Sequence, residues 1–110
     1  VTWVSYPVDG LLPWLDSVVH GRVSVTAKFA GTLDGFTAAP DGTSQWITGP
    51  ETRQYAHYDR AMRDAIVIGT GTAIADNPSL TARDRDGSLL GNQPRRVVVG
   101  KRCKHLLVAA

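Results

Sequence analysis

A chain of 110 residues that is 43% hydrophobic and 20% charged has the balance of one small folded domain, which excludes collagen-like and disordered classes. With a net charge of +2 and no Lys/Arg block interleaved with aromatic residues, a small anionic ligand fits better than nucleic acid. The single cysteine, Cys103, makes no internal disulfide, and no apolar run approaches the roughly 20 residues that span a bilayer, so no membrane is expected and the cytoplasm is the default compartment.

Residues 1–22 read as a lead-in segment or linker, punctuated by Pro7, Gly10, Pro13 and Gly21, with one short helix from Pro13 to His20. Val1 in place of Met, with no signal-peptide pattern behind it, reads as a cut or processed end. From Val23 the sequence alternates. "VSVTAKFAGT" predicts a strand with Lys28, Thr26, Ala30 and Thr32 on one face and Val23, Val25, Ala27 and Phe29 on the other. Leu33-Asp34-Gly35 is a turn, Phe36 to Ala38 a short extended piece, and Pro40-Asp41-Gly42 a second turn. A helix is expected from Pro50 to Arg63: Thr48 and Glu51 stand in capping-box relation, and Pro50 sits in the first turn, where its missing N–H costs nothing.

Ala65 to Ile68 reads as a buried strand that breaks at Gly69-Thr70-Gly71 into a loop or short helix through Ala75. A long polar loop, "DNPSLTARDRDGSLLGNQP", leads to a further apolar strand, "RRVVVG", and "HLLVAA" reads as one more. Strands separated by helices predict an α/β sheet. Ending on an apolar strand pattern suggests a fragment of something longer, whose exposed strand edge favours a homodimer, a complementing chain or aggregation.

Lys28 is the odd residue of the first strand: its stem carries the amine to solvent, or it is held at a cleft to bind or protonate a substrate oxygen. Arg53, His57, Arg60 and Asp64 recur at helical spacing on one face. That face is either solvated, or Arg60 reaches the same cleft as Arg83 and the two arginines hold a phosphate. "GTGTAIAD" has the outline of G-x-G-x-x-A, yet Asn77-Pro78 interrupts it at once, which argues against a Rossmann unit. His20, His57 and His105 are scattered and no Cys-x-x-Cys occurs, so no metal site is expected.

Taken together, "KFAGTLDG", "DGTSQWITGPETR", "DAIVIGTGTAIADNPSLTAR" and "RRVVVG" resemble the reductase domain of the bacterial bifunctional riboflavin-biosynthesis deaminase/reductase. The match runs from about Val23 to Gly100 in the family's order and spacing. The resemblance implies a dihydrofolate-reductase-like α/β fold, incomplete here, with residues 23–110 as the N-terminal portion of the domain. It also implies NADPH-dependent reduction of the ribosyl group of 5-amino-6-(5-phosphoribosylamino)uracil, a phosphorylated ribosylamino-pyrimidine, to a ribityl group. By motif, cofactor contacts are implied at Ala30, Trp46, Thr72 and Asp76, and substrate contacts at Ser44, Arg60, Leu80 and Arg83. Lys28 is implied as a catalytic polariser or proton donor near the reacting ribose.

Two departures accompany the match. Phe36 stands where the family often has a basic or polar residue, which is expected to be harmless. The family's later glycine-rich pyrophosphate segment, an acidic substrate residue and the zinc deaminase half do not occur in these 110 residues, so weak cofactor affinity is expected of this piece alone. The rival readings are a non-catalytic truncated remnant serving as a binding or assembly module, and another dihydrofolate-reductase-like reductase.

Overall fold

The computed structural model describes residues 11–101, and the chain divides into two compact units, Val1–Ser44 and Gln45–Ala110. The strand expected over "HLLVAA" lies outside the described residues.

In the first unit, helix α1 spans Leu12–His20, one residue longer than the sequence suggests, with a proline in its first turn. Gly21 ends it at φ 60°, a left-handed conformation that glycine adopts without a Cβ penalty, and its N–H caps the Ser17 carbonyl. The Ser17 hydroxyl donates to the Pro13 carbonyl at 2.9 Å and accepts the Ser24 N–H at 3.1 Å, fastening the outgoing chain to the helix.

The strand expected over Val23 to Thr32 does not form: no ladder bonds this segment, and Val23, Val25 and Phe29 stand 80 to 85% exposed. Alternation describes what a segment buries once it is paired, and a strand exists only through its partner. No described segment supplies that partner, so Lys28 has no defined strand face. Phe36 to Ala38 is likewise bent rather than extended into a strand. The two turns are present. At the first, the Thr32 N–H donates to the Phe36 carbonyl while the Thr32 hydroxyl accepts the Phe36 N–H. At the second, Gly42 donates to Ala39, and Asp41 accepts both the N–H and the hydroxyl of Thr43.

In the second unit, helix α2 spans Pro50–Ala61 with Pro50 at its start. The expected capping box is out of frame by one residue: Gly49 is the N-cap and no side chain caps the helix. Glu51 still lies in the first turn, where a carboxylate complements the positive end of the helix dipole. The helix closes two residues before Arg63 because its last bonds tighten to i→i+3, from Met62 to Asp59 and from Arg63 to Arg60.

Strand β1, Ala65–Gly69, pairs in parallel with β2, Arg95–Val99, in the register Ala65↔Arg95 to Gly69↔Val99. Parallel strands need a long crossover. Here it comprises helix α3, Thr70–Asp76, and the segment 77–94. α3 packs on both strands and buries Thr70 and Ala73, which lie three residues apart on one face. Gly100, at φ 148°, passes so close to Thr70 that a Cβ there would overlap the threonine side chain.

Segment 77–94 lacks regular structure, as expected, but it is firmly tied. Arg83 and Leu89 form an antiparallel bridge, and Gly87 at φ 84° turns the chain between them. Ala82 is fully buried. Its N–H donates to Gln93 Oε1 at 2.9 Å, and its carbonyl accepts Gln93 Nε2 at 2.8 Å and the Leu90 N–H at 3.0 Å. A side-chain amide thus takes the part of a neighbouring strand's backbone.

Candidate functional site

Helix α2 presents Gln54, His57, Tyr58 and Arg60 to segment 79–90, and each makes a specific bond. Gln54 Nε2 donates to the Arg83 carbonyl at 3.0 Å, and the Tyr58 hydroxyl donates to Asp84 Oδ1 at 2.7 Å. That bond, before any other cause, raises the Tyr58 pKa and lowers the Asp84 pKa. The face for which a solvated reading stood beside a cleft reading therefore holds a loop, through His57 and Arg60. The i, i+3, i+4 spacing of Gln54, His57 and Tyr58 was the available signal.

Arg60 and Arg83 converge on Thr81. Arg60 donates to the Thr81 carbonyl at 2.7 Å, and Arg83 Nε donates to the Thr81 hydroxyl at 3.0 Å. A second Arg83 nitrogen donates to the Gly87 carbonyl at 2.7 Å. Each guanidinium has five donors, so both keep N–H groups for a ligand. Burial pulls the Arg60 pKa down from its ordinary value, and an arginine still keeps its charge at neutral pH.

His57 settles beside the same residue. The Arg83 main-chain N–H can only donate, so His57 Nδ1 receives it with its lone pair at 3.2 Å. The same nitrogen lies 3.1 Å from the Thr81 carbonyl, which already has its donor from Arg60. The tautomer with the proton on Nε2 satisfies all three groups. Leu80, next to this cluster, is half-buried and holds φ at 55°.

Of the residues assigned to a cofactor, Thr72 and Asp76 lie four apart on α3, both exposed, away from the buried Thr70 and Ala73. Trp46 is 69% exposed, and the Arg53 guanidinium covers one side of its ring, 4.3 Å from the centroid. Lys28 and Ser44 are exposed and Ala30 is half-buried, all three in the first unit. A separate open cavity of about 570 Å³, between residues 61–64 and 91–95, is lined by none of the residues assigned from motifs.

A parallel β–α–β unit whose connecting helix opens at the carboxyl end of its first strand makes this an α/β protein. The chain belongs to the family described as the RibD C-terminal domain, whose model matches residues 23–109. This bears out the resemblance carried by its motifs. The riboflavin biosynthesis protein RibD of Corynebacterium ammoniagenes is 66% identical over 94 residues, covering 86% of this chain and 28% of that protein. The protein of the same name from Mycobacterium tuberculosis is 53% identical over 92 residues, covering 84% of this chain and 27% of that protein. Among solved structures, a Thermotoga maritima diaminohydroxyphosphoribosylaminopyrimidine deaminase/5-amino-6-(5-phosphoribosylamino)uracil reductase superposes with a TM-score of 0.68 at 36% identity, over 81% of this chain and 24% of that one. The chain thus spans about a quarter of each of these relatives.

Proposed function

We propose that residues 23–110 are the N-terminal part of a dihydrofolate-reductase-like reductase domain, with 1–22 as a lead-in. The complete domain reduces the ribosyl group of 5-amino-6-(5-phosphoribosylamino)uracil with NADPH in the cytoplasm. Family membership and the reductase title of the Thermotoga relative support this reading. The observation that carries it is the convergence of Arg60 and Arg83 on Thr81, one cation from α2 and one from the tied loop, both with donors to spare. Such a pair suits a sugar phosphate.

The residues present fit a dinucleotide cofactor. Trp46 offers an open aromatic face, and Thr72 and Asp76 offer adjacent hydrogen-bonding groups on one side of α3. When bound, NADPH supplies the hydride that reduces the ribose C1 carbon. Arg60 and Arg83 grip the phosphate, Leu80 packs against the substrate, and Ser44 bonds a polar edge of it. Ala30 lets the cofactor approach closely, and Lys28 polarises or protonates the sugar oxygen. β1 and β2 show no further strand on either outer edge among the described residues, and a second copy of the protein is our choice of partner for them.

The test compares phosphorylated and dephosphorylated substrate in the protein that carries this chain. Arg83→Ala is expected to weaken the phosphorylated substrate by roughly 10- to 100-fold, the worth of a charged hydrogen bond, and to leave the dephosphorylated substrate and NADPH nearly unchanged. Equal losses for substrate and NADPH would point instead to a structural arginine in a different reductase. Absence of NADPH oxidation with this pyrimidine would favour a non-catalytic remnant.

A further inference from the structure

We infer that Arg53 is a positioning residue for the cofactor, holding the Trp46 indole so that one face stays open to the flat ring of NADPH. The inference rests on the NADPH reading above and adds a residue to it.

Arg53 is fixed at both ends. Its main-chain N–H donates to the Gly49 carbonyl in the first turn of α2, and its guanidinium donates to the Thr48 carbonyl. Between these anchors the guanidinium lies over the Trp46 ring at 4.3 Å from the centroid. One side chain thus grips both the indole and the main chain two residues beyond it.

Trp46 is nonetheless 69% exposed, so this contact is not the edge of a core. A large exposed indole left to itself samples several rotamers, and a ligand that needs one of them must first order it. A cation held over one face removes that freedom in advance, because the ring quadrupole attracts the guanidinium. The opposite face is left for a second flat partner. The sequence pattern placed Arg53 on a helical face with His57 and Arg60, but the bonds separate them: His57 and Arg60 hold the 79–90 loop, whereas Arg53 turns to the tryptophan.

A double-mutant cycle on the protein that carries this chain tests the inference, with NADPH affinity read by direct titration and the KM of the pyrimidine substrate read alongside. Arg53→Met is expected to weaken NADPH by roughly three- to tenfold, within the cost of ordering one large side chain on binding, with the substrate KM held within about twofold. Arg53→Lys keeps the charge without the planar guanidinium and its fixed fork of donors, and should fall between Arg53→Met and the wild type. Adding Arg53→Met to Trp46→Ala should cost nothing further, because the two residues act as one unit. Additive losses in the double variant, or equal weakening of both ligands, mark a merely structural arginine and overturn the inference. Unchanged NADPH affinity in Arg53→Met, while Trp46→Ala loses it, overturns it as well. A wild type that does not bind NADPH, or a Trp46→Ala variant that binds it normally, refutes the cofactor reading itself and removes this inference with it.

Discussion

Gln93→Ala is the sharpest single perturbation of the loop that carries Leu80 and Arg83. It removes three bonds at once: Ala82 N–H to Oε1 at 2.9 Å, and Nε2 to the carbonyls of Ala82 and Leu90 at 2.8 and 2.7 Å. The three losses are not equal. The Ala82 carbonyl keeps the Leu90 N–H, whereas the Ala82 N–H, in a residue with no exposed surface, is left without its acceptor. An unmet buried donor costs about 1–3 kcal/mol, so protection of the Ala82 amide against hydrogen exchange should fall by roughly 5- to 150-fold. Residue-resolved exchange is the right assay because it reports local opening at that amide. Gln93→Glu keeps the acceptor for Ala82 N–H but turns an oxygen toward two carbonyls, so it should protect the amide no better than Gln93→Ala. An amide that stays fully protected in Gln93→Ala would show that something other than Gln93 holds the loop.

Tyr58 and Asp84 make a second prediction, through pH. Their bond raises the phenol and lowers the carboxylate. Its contribution is therefore present between the two titrations and fades as pH falls through the lowered Asp84 value or rises through the raised Tyr58 value. Asp84→Asn should return the Tyr58 phenolate titration, isolated by subtracting Tyr58→Phe, toward its ordinary position. An unmoved titration would dismiss the bond. At the end of β2, Gly100→Ala combines φ 148° with an overlap on Thr70 and should cost more than about 1 kcal/mol by urea denaturation, with partial recovery in a Thr70→Ala background. A cost below about 0.5 kcal/mol would remove the close approach.

How far the sequence carried depended on whether each element is determined by its own residues. α1, α2, β1 and β2 were legible because proline at a helix start, glycine at a helix end and short β-branched runs act locally. The Val23 to Thr32 segment has equally clear alternation, yet its structure depends on a partner strand that local pattern cannot supply. The capping frame failed for a smaller reason: Thr48 and Gly49 are adjacent, and main-chain geometry alone decides which of them is the cap. The least legible part was segment 79–90. Its shape comes from side-chain-to-backbone bonds at separations of 11 to 29 residues, and no local window contains both partners. For the site, motif matching named Arg60 and Arg83, but only the structure reveals Thr81 as the residue they share.

That shared residue ties the loop to helix α2 at the phosphate site proposed above. Arg60 reaches the Thr81 carbonyl from α2, Arg83 reaches its hydroxyl from the loop, and His57 receives the Arg83 main-chain N–H. A ligand phosphate that drew Arg60 away would leave the Thr81 carbonyl without its donor. His57 cannot replace it while its Nδ1 lone pair serves Arg83. The proposed phosphate is therefore expected to be bound by the donors that Arg60 and Arg83 still have free, with Thr81 left in place. Arg60→Lys separates the two roles, since an ammonium can reach one partner as a point charge but lacks the planar fork to hold carbonyl and phosphate together. It should preserve most of the protection of the loop amides while weakening the phosphorylated substrate by roughly tenfold, within the worth of a charged hydrogen bond. Loss of loop protection with substrate affinity intact would place Arg60 in the scaffold alone.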